Sequence, residues 1–243
     1  MKMAAALVLL AVAFGSADAI AATPARKAVR PIAAKPARPA APVAWTKRVV
    51  VTAAGGFLVG NPAARAKLIE YGSLTCPYCQ RFHQDAIAGL RARIATGKLS
   101  FEFRPFAVHS ADPMLHALLR CAGPARFVTF SDDFYAGQET LAAAYEAWTE
   151  ANPTINPNAT AADRIKYADA WGFTTFAAAH GLTRAQANAC VSNADAMRQQ
   201  QDREDQASKD LGVAGTPTFI LNGRKLPSWL WPDVDKAISA ALN

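Results

Sequence analysis

Cys76 and Cys79 form a Cys-x-x-Cys pair at the junction of a predicted strand and a predicted helix. The strand is an apolar segment with β-branched and aromatic residues that starts at Leu68, and a helical pattern begins directly after Cys76. Pro77 suits the first helical position, where its missing N–H would have no partner within the helix. The free N–H groups and the positive end of the helix dipole stabilise a thiolate. Cys76 is therefore predicted to be the nucleophile of a thiol–disulfide exchange.

Cys79 follows Cys76 by three residues and is expected to turn towards the body of the protein. From there its thiol can attack a mixed disulfide formed at Cys76, which predicts a resolving role. A Cys-x-x-Cys pair can also be half of a zinc site, but zinc usually takes four ligands, and Cys121 and Cys190 are isolated in the sequence. With His83 as a third ligand, a copper or zinc carrier is the alternative from another class of function. A non-catalytic scaffold tethered by a basic tail is a second alternative.

The N-terminal region has the features of an export signal followed by a linker. Residues 1–22 have a basic start, an apolar middle and small residues at their end, which is typical of a signal peptide cleaved after Ala19 or Ala22. Residues 23–45 are rich in Ala, Pro and basic residues and predict an extended linker without a core. We therefore expect a periplasmic protein with one folded domain at residues 46–243.

The charge distribution argues against a nucleic-acid-binding protein. The net charge of +7 lies in residues 1–48, which hold eight Lys or Arg residues and one Asp. The remainder holds 18 basic and 18 acidic residues, so the predicted domain is electrically neutral. A basic surface for nucleic acid on that domain has no support from its composition.

The second pair of cysteines, Cys121 and Cys190, falls in predicted helices in the middle of the sequence. An exported protein folds in an oxidising compartment, where disulfides persist and unpaired thiols invite mispairing. We therefore expect a structural disulfide between them, with two buried free thiols as the alternative.

The remaining pattern predicts an α/β protein. The predicted elements are an N-terminal strand or hairpin at 47–59, a helix at 77–95, a strand at 99–105, an all-helical insertion at about 109–211, a hairpin at 215–226 and a helix at 233–242. The helical connection makes the strands on either side of it parallel. Helix starts within the insertion are predicted at Asp112, Thr160, Thr183 and Ser192.

This order of elements, with Cys-x-x-Cys at the start of the first helix and Thr216-Pro217 before the hairpin, resembles the DsbA-like thioredoxin-fold thiol:disulfide oxidoreductases. The resemblance covers about residues 49–243. It implies a thioredoxin fold, which is a central mixed sheet flanked by helices, with an all-helical insertion. Its most specific parts are residues 70–79 and 215–218.

The resemblance also implies roles for three further residues. Pro217 matches the family's cis-proline beside the active disulfide, and the backbone of Thr216 would hydrogen-bond an extended client segment. Glu70 matches the family's acidic residue beneath the disulfide. Burial would raise its pKa and let it relay a proton to or from Cys79. Alternatively, Glu70 pairs structurally with a cation such as Arg104.

Pro77 and Tyr78, between the cysteines, are expected to contact the client together with Thr216. The best-known oxidants of the family have His in place of Tyr78, and Cys-Pro-Tyr-Cys looks more like the isomerases and reductases of the same fold. Dedicated isomerases carry an N-terminal dimerisation domain, for which residues 23–43 are too short, so a monomer is expected. We predict an enzyme without a cofactor that introduces disulfides into reduced exported proteins and is re-oxidised by a membrane redox partner. An isomerase or reductase is the alternative.

Overall fold

The computed structural model describes residues 43–153 and 156–243. The predicted signal peptide, residues 1–22, and the linker up to residue 42 lie outside the described residues. Within the two described ranges, no helix is both long and apolar enough to cross a membrane.

The described chain forms one six-stranded sheet with α-helices around it. The strands are β1 (Val49–Val51), β2 (Phe57–Gly60), β3 (Ala66–Gly72), β4 (Leu99–Pro105), β5 (Thr218–Leu221) and β6 (Arg224–Lys225). The helices are α1 (Pro77–Ala95), α2 (Asp112–Ala122), α3 (Phe127–Ala151), α4 (Ala161–Ala170), α5 (Phe173–Ala179), α6 (Arg184–Ser192), α7 (Ala194–Leu211) and α8 (Trp231–Leu242). This confirms the predicted α/β thioredoxin fold with a helical insertion, which consists of α2 to α7.

The sheet order is β1-β2-β4-β3-β5-β6. Strands β3 and β4 are parallel, as the helical connection through α1 predicts, and the other neighbouring strands are antiparallel. Strand β3 lies between β4 and β5, so Glu70 is flanked by Phe103 on one side and Phe219 on the other. The strand that leads to Cys76 is thus central in the sheet.

Helix α1 packs on the sheet through the face that its sequence predicts. The buried residues recur every four positions: Phe82, Ala86, Leu90 and Ile94. Helix α8 packs beside α1, and a side chain at Gly89 would collide with the ring of Trp231. On the opposite face of the sheet, Tyr71 packs with Ala207 of α7 and with Val213. The central strand is therefore covered on both faces.

The predicted helix starts at Asp112, Thr160 and Thr183 are confirmed, whereas capping by Asp112 and by Ser192 is wrong. The Thr160 and Thr183 side chains accept hydrogen bonds from the third residue of their helices. Ser192 instead ends α6, and Asn193 caps α7 by accepting from the Ala196 N–H at 2.9 Å. Asp112 does not cap α2, because its carboxylate is buried in a different set of hydrogen bonds described below.

Candidate active site

The first cysteine pair lies where the central strand passes into α1. Strand β3 ends at Gly72, a short turn follows, and Cys76 is the N-cap residue of α1 with Pro77 in the first helical position. Cys79 lies in the first turn of the helix. Both thiols are free; the Cys76 residue is 4% exposed and Cys79 is fully buried. The pair therefore has an outer and an inner sulfur, which is the arrangement that nucleophilic attack followed by internal resolution requires.

Several groups stabilise the Cys76 thiolate. The pKa of Cys76 is lowered from 9.0 to about 5 by hydrogen bonds from the Cys79 thiol, the Thr216 side chain and the backbone N–H groups of Cys79 and Tyr78. These hydrogen bonds outweigh the burial of the sulfur, which acts in the opposite direction. Hydrogen bonds that favour the charged form act in this direction. At neutral pH the outer sulfur is thus held as an anion, which is the reactive form of cysteine.

Glu70 lies beneath the cysteine pair as a buried carboxyl group, 4% exposed. Burial, and then the negative charge of Cys76, raise the pKa of Glu70 from 4.5 to about 8, against a smaller lowering by the Cys79 thiol. Burial also raises the pKa of Cys79 well above its ordinary value, together with the hydrogen bond to Cys76 and the negative charges of Glu70 and Cys76. A carboxyl group that titrates near neutral pH therefore lies beside a thiol that must lose a proton to react.

The alternative role of Glu70, pairing with Arg104, is wrong. The Arg104 guanidinium pairs with Glu102 at 2.9 and 3.0 Å and donates to the Tyr71 hydroxyl at 2.9 Å. Arg104 lies opposite Tyr71 in the sheet register, whereas Glu70 lies opposite Phe103. Because successive side chains of a strand point to opposite faces, Arg104 and Glu70 face away from each other.

The loop before β5 brings Thr216 and Pro217 against the outer sulfur. The peptide bond between them is cis, as the family resemblance implies, and Pro217 is buried. The Cys76 thiol donates to the Thr216 carbonyl oxygen at 3.4 Å. The buried Thr216 hydroxyl has no hydrogen-bond partner within the described ranges, so it is free to donate to the thiolate once the thiol proton has left.

An exposed apolar surface adjoins the site on the side of α8. Tyr78 is 60% exposed, and its ring packs against Trp229 with a centroid separation of 5.5 Å. Leu230 is also exposed. Pro77 and Tyr78 line a recess with Trp229 and Leu230, and its edge holds the charged side chains of Arg81 and Asp85. Apolar side chains with a charged edge therefore lie beside the sulfurs.

A buried hydrogen-bond network that we did not predict from the sequence supports the turn before Cys76. The Cys76 N–H donates to the Ser73 hydroxyl at 3.1 Å, and that hydroxyl donates to Asp112 at 2.8 Å. The Thr75 hydroxyl also donates to Asp112 at 2.8 Å. The second carboxylate oxygen accepts the N–H groups of Val108 and His109. The carboxylate thus receives four donors and ties the active-site turn to the start of the insertion.

Gln138 of α3 provides a second unpredicted link between the insertion and the site. Its side-chain amide donates to the carbonyl oxygens of Leu74 and Cys76. The side chain is almost fully buried. A glutamine in the middle of a long helix carries no local signal for this contact, and the sequence around Asp112 indicates only a helix start.

The third ligand suggested for a copper or zinc carrier, His83, is engaged with another side chain in the described structure. Among the described residues, no three or more His, Cys, Asp or Glu side chains are grouped so that they could hold a metal ion. His83, the suggested third ligand, instead lies 3.1 Å from Asp132, which also pairs with Arg91.

The second cysteine pair is a disulfide between α2 and α6. Cys121 and Cys190 are bonded, with their Cα atoms 6.4 Å apart and a sequence separation of 69 residues. The pairing that the sequence favoured over two free thiols is therefore present in the structure.

Comparison with known proteins agrees with this geometry. A family model described as Thioredoxin matches residues 52–240. A curated relative from Rickettsia typhi, named "Putative protein-disulfide oxidoreductase RT0103", is 22% identical over 189 residues, which are 77% of this chain and 62% of that protein. A relative from Rickettsia bellii with a similar name is 24% identical, over 77% of this chain and 64% of that protein. The chain thus spans about three fifths of the length of these curated relatives.

Solved structures show the same architecture. A protein-disulfide isomerase from Novosphingobium aromaticivorans is 28% identical with a TM-score of 0.67, covering 76% of this chain and 96% of that chain. Wolbachia pipientis alpha-DsbA1 has the same fold, with a TM-score of 0.61 and 21% identity over 76% of this chain and 89% of that chain. The chain therefore belongs to the thioredoxin family and has the fold of the DsbA-like thiol:disulfide oxidoreductases.

Proposed function

We propose that this protein is a thiol:disulfide oxidoreductase that introduces disulfides into exported proteins. One observation carries the proposal: the outer sulfur, Cys76, lies at the start of α1 and 3.4 Å from the Thr216 carbonyl oxygen, close to a buried inner thiol, Cys79, and a buried carboxyl group, Glu70. These surroundings lower the pKa of Cys76. Thiol–disulfide exchange needs a thiolate that is also a good leaving group, and this arrangement supplies it.

In the oxidising direction the protein starts with a bond between Cys76 and Cys79. A client thiolate attacks the Cys76 sulfur, a mixed disulfide forms, and Cys79 leaves and takes a proton from Glu70. A second client thiolate then attacks the client sulfur of the mixed disulfide and releases Cys76 as a thiolate. The client gains a disulfide, and the protein keeps the two electrons as the reduced pair.

The low pKa of Cys76 favours this direction. A thiolate stabilised in the reduced protein leaves the mixed disulfide readily and makes the protein a stronger oxidant. The Cys79 thiol, whose pKa is raised, keeps its proton in the reduced state. It therefore does not compete with Cys76 as the thiolate of the reduced protein. The client backbone would pair with Thr216, while Pro77 and Tyr78 contact the segment around its cysteine.

Isomerase or reductase activity is the second candidate. The 28% identical structure from Novosphingobium is named a protein-disulfide isomerase, and Tyr78 stands between the cysteines as in Cys-Pro-Tyr-Cys isomerases. In this direction the Cys76 thiolate attacks a client disulfide. Cys79 then resolves the intermediate by attacking the Cys76 sulfur, after Glu70 has accepted its proton.

The proposed cellular setting follows from the sequence of the N-terminal region. An export signal at residues 1–22 would direct the protein to the periplasm, where reduced clients emerge and where a membrane redox partner would re-oxidise it. The disulfide between Cys121 and Cys190 supports an oxidising compartment. We propose a monomer in solution.

The test is redox equilibration of the Cys76/Cys79 pair with glutathione, combined with oxidation of a reduced dithiol peptide. If the protein is an oxidase, the reduction potential of the Cys76/Cys79 pair should be near −120 mV. If it is an isomerase or reductase, that potential should be about −180 to −270 mV. Cys76→Ser should abolish peptide oxidation. Cys79→Ala cannot form the Cys76–Cys79 bond, so it should also fail to oxidise the dithiol peptide; when given the disulfide form of the peptide, its Cys76 thiolate should attack that bond and accumulate a mixed disulfide that no inner thiol resolves. Peptide oxidation that survives Cys76→Ser would refute the proposed function in either direction.

A further inference from the structure

A groove opens beside the start of α1 on the side of α3, and the mechanism above does not use it. Its volume is about 370 Å³. The wall nearest the reactive sulfur is formed by Thr75, Pro77 and Gln80, and the opposite wall is α3. A client segment whose cysteine reaches Cys76 therefore has residues close enough to enter this groove.

The floor of the groove is apolar. Phe134 of α3 and Phe173 of α5 are buried there, and Leu141 and Tyr145 are partly exposed. Gln138, on the same helix, is bound to the backbone of the active-site turn and fixes this wall relative to the cysteines. The floor can thus hold an aliphatic side chain or the methylene stem of a long one.

The rim of the groove on α3 is negatively charged. This helix holds five acidic residues and no Lys or Arg. Asp132 is paired with His83 and Arg91, and Asp133 is paired with His180.

Glu139 and Glu146 line the groove, are exposed, and take part in no ion pair within the described chain. They lie seven residues apart and so share one face of the helix. Glu139 also borders the recess that holds Arg81, but Arg81 is already paired with Asp85 at 3.0 Å.

The wall that faces α3 holds no Lys or Arg, within the described structure, that could pair with the two glutamates. His109 is the lining residue with a basic nitrogen, and its Nδ1 is 2.8 Å from the Thr75 hydroxyl. An apolar floor with an unpaired anionic rim is complementary to a side chain that is aliphatic along its stem and cationic at its end.

We propose that this groove selects client segments that carry Lys or Arg next to the reacting cysteine. The methylene stem lies on the floor formed by Leu141 and Tyr145, and the charged end meets Glu139 and Glu146. This inference rests on the proposed exchange function and names its preferred client. Charge complementarity at a solvent-exposed rim mainly raises the rate of encounter and is weakened by salt.

The experiment measures second-order rate constants for oxidation of three dithiol peptides by the oxidised protein. The peptides differ only in the residue beside the first cysteine, which is Lys, Gln or Glu. We expect the order Lys, Gln, Glu, with a Lys-to-Glu ratio of about tenfold at low salt, since each exposed ion pair contributes about two- to fivefold. In 0.5 M NaCl the ratio should fall towards about twofold.

The variant Glu139→Gln/Glu146→Gln should reduce the low-salt ratio to about twofold. Glu150→Gln, on the same helix but outside the groove lining, is the matched control and should keep the wild-type ratio. Equal rates for the Lys and Glu peptides with the wild-type protein, or a ratio that persists in the double variant, would overturn the proposed selection. The Gln peptide reports separately on exchange itself: if the wild-type protein fails to oxidise it, the proposed function fails.

Discussion

The two cysteine pairs of this protein show how environment decides what sulfur does. Cys76 and Cys79 lie three residues apart at a helix start, remain free, and face a buried carboxyl group, Glu70. Cys121 and Cys190 lie 69 residues apart on two packed helices and are bonded to each other.

The difference lies in what surrounds each pair. The first pair has groups that stabilise a thiolate and the buried Glu70 that can move a proton, so its bond can form and break. The second pair closes a long stretch of chain, so its bond restricts the unfolded state. We therefore expect changes at the second pair to alter stability and changes at the first to alter chemistry.

The largest expected effect is on stability. Cys121→Ala/Cys190→Ala should lower the free energy of unfolding by about 4 kcal/mol, the chain-entropy value for a loop of this length. Guanidinium denaturation of the variant and the wild-type protein measures the difference. The rate of peptide oxidation at 25 °C should stay within about twofold, because neither cysteine contacts the site. A parallel loss of oxidation rate in the folded variant would show that the two pairs are coupled.

The next effect is on the proton-transfer step. Glu70→Gln removes the group that exchanges a proton with Cys79. The attack of Cys79 on a preformed mixed disulfide between Cys76 and a peptide should therefore slow by about 100-fold, which is ~2.7 kcal/mol in the barrier. Single-turnover kinetics between pH 5 and 9 measure this rate. In the wild-type protein the rate should rise with pH as Glu70 loses its proton, and the variant should lose that inflection. Glu102→Gln is a matched control, since this carboxylate is also buried but pairs with Arg104.

Glu70 also links stability to pH. Its pKa is about 8 in the folded protein and 4.5 ordinarily, so the folded state binds more protons between these values. The free energy of unfolding should therefore fall as pH rises from 4.5 to 8. Denaturation of the oxidised protein, in which the thiols do not titrate and burial alone raises the pKa of Glu70, should show this fall over a narrower pH range, and Glu70→Gln should remove it. An unchanged pH dependence in the variant would contradict the raised pKa.

A smaller effect is expected at Asp112, whose hydrogen bonds join the active-site turn to the helical insertion. The Asp112 carboxylate accepts four hydrogen bonds, and Asp112→Asn replaces one of its oxygens with an NH2 group, which donates instead of accepting. This change should lower the free energy of unfolding by about 2 kcal/mol. Asp133→Asn, an exposed partner of His180, should cost less than about 1 kcal/mol. Thermal denaturation of both variants gives the comparison, and equal costs would argue against a special role for the buried network.

Local patterns in the sequence predicted much of the fold. The four-residue apolar repeat of α1, the strand before it and the Asn222-Gly223 turn, with φ angles of 48° and 81°, are each encoded by neighbouring residues. The start of α7 shows the limit of such patterns. Ser192 and Asn193 are both good cap residues, and only the packed helix decides between them.

The contacts that support the active site were beyond local patterns. Ser73 and Asp112 are 39 residues apart, and Cys76 and Gln138 are 62 apart, so no periodicity links them. The wrong pairing of Glu70 with Arg104 has a related cause. Opposite charges on neighbouring strands suggest an ion pair, but the register places Arg104 opposite Tyr71 and therefore on the other face of the sheet.

The acidity of Cys76 is the central claim, and it can be measured directly. The absorbance of the thiolate at 240 nm, followed from pH 3 to 10 in the reduced protein and in Cys76→Ser, reports the titration of this sulfur. We expect a midpoint at about pH 5 that is lost in Cys76→Ser. A midpoint near the ordinary cysteine value of about 8.5 would contradict it.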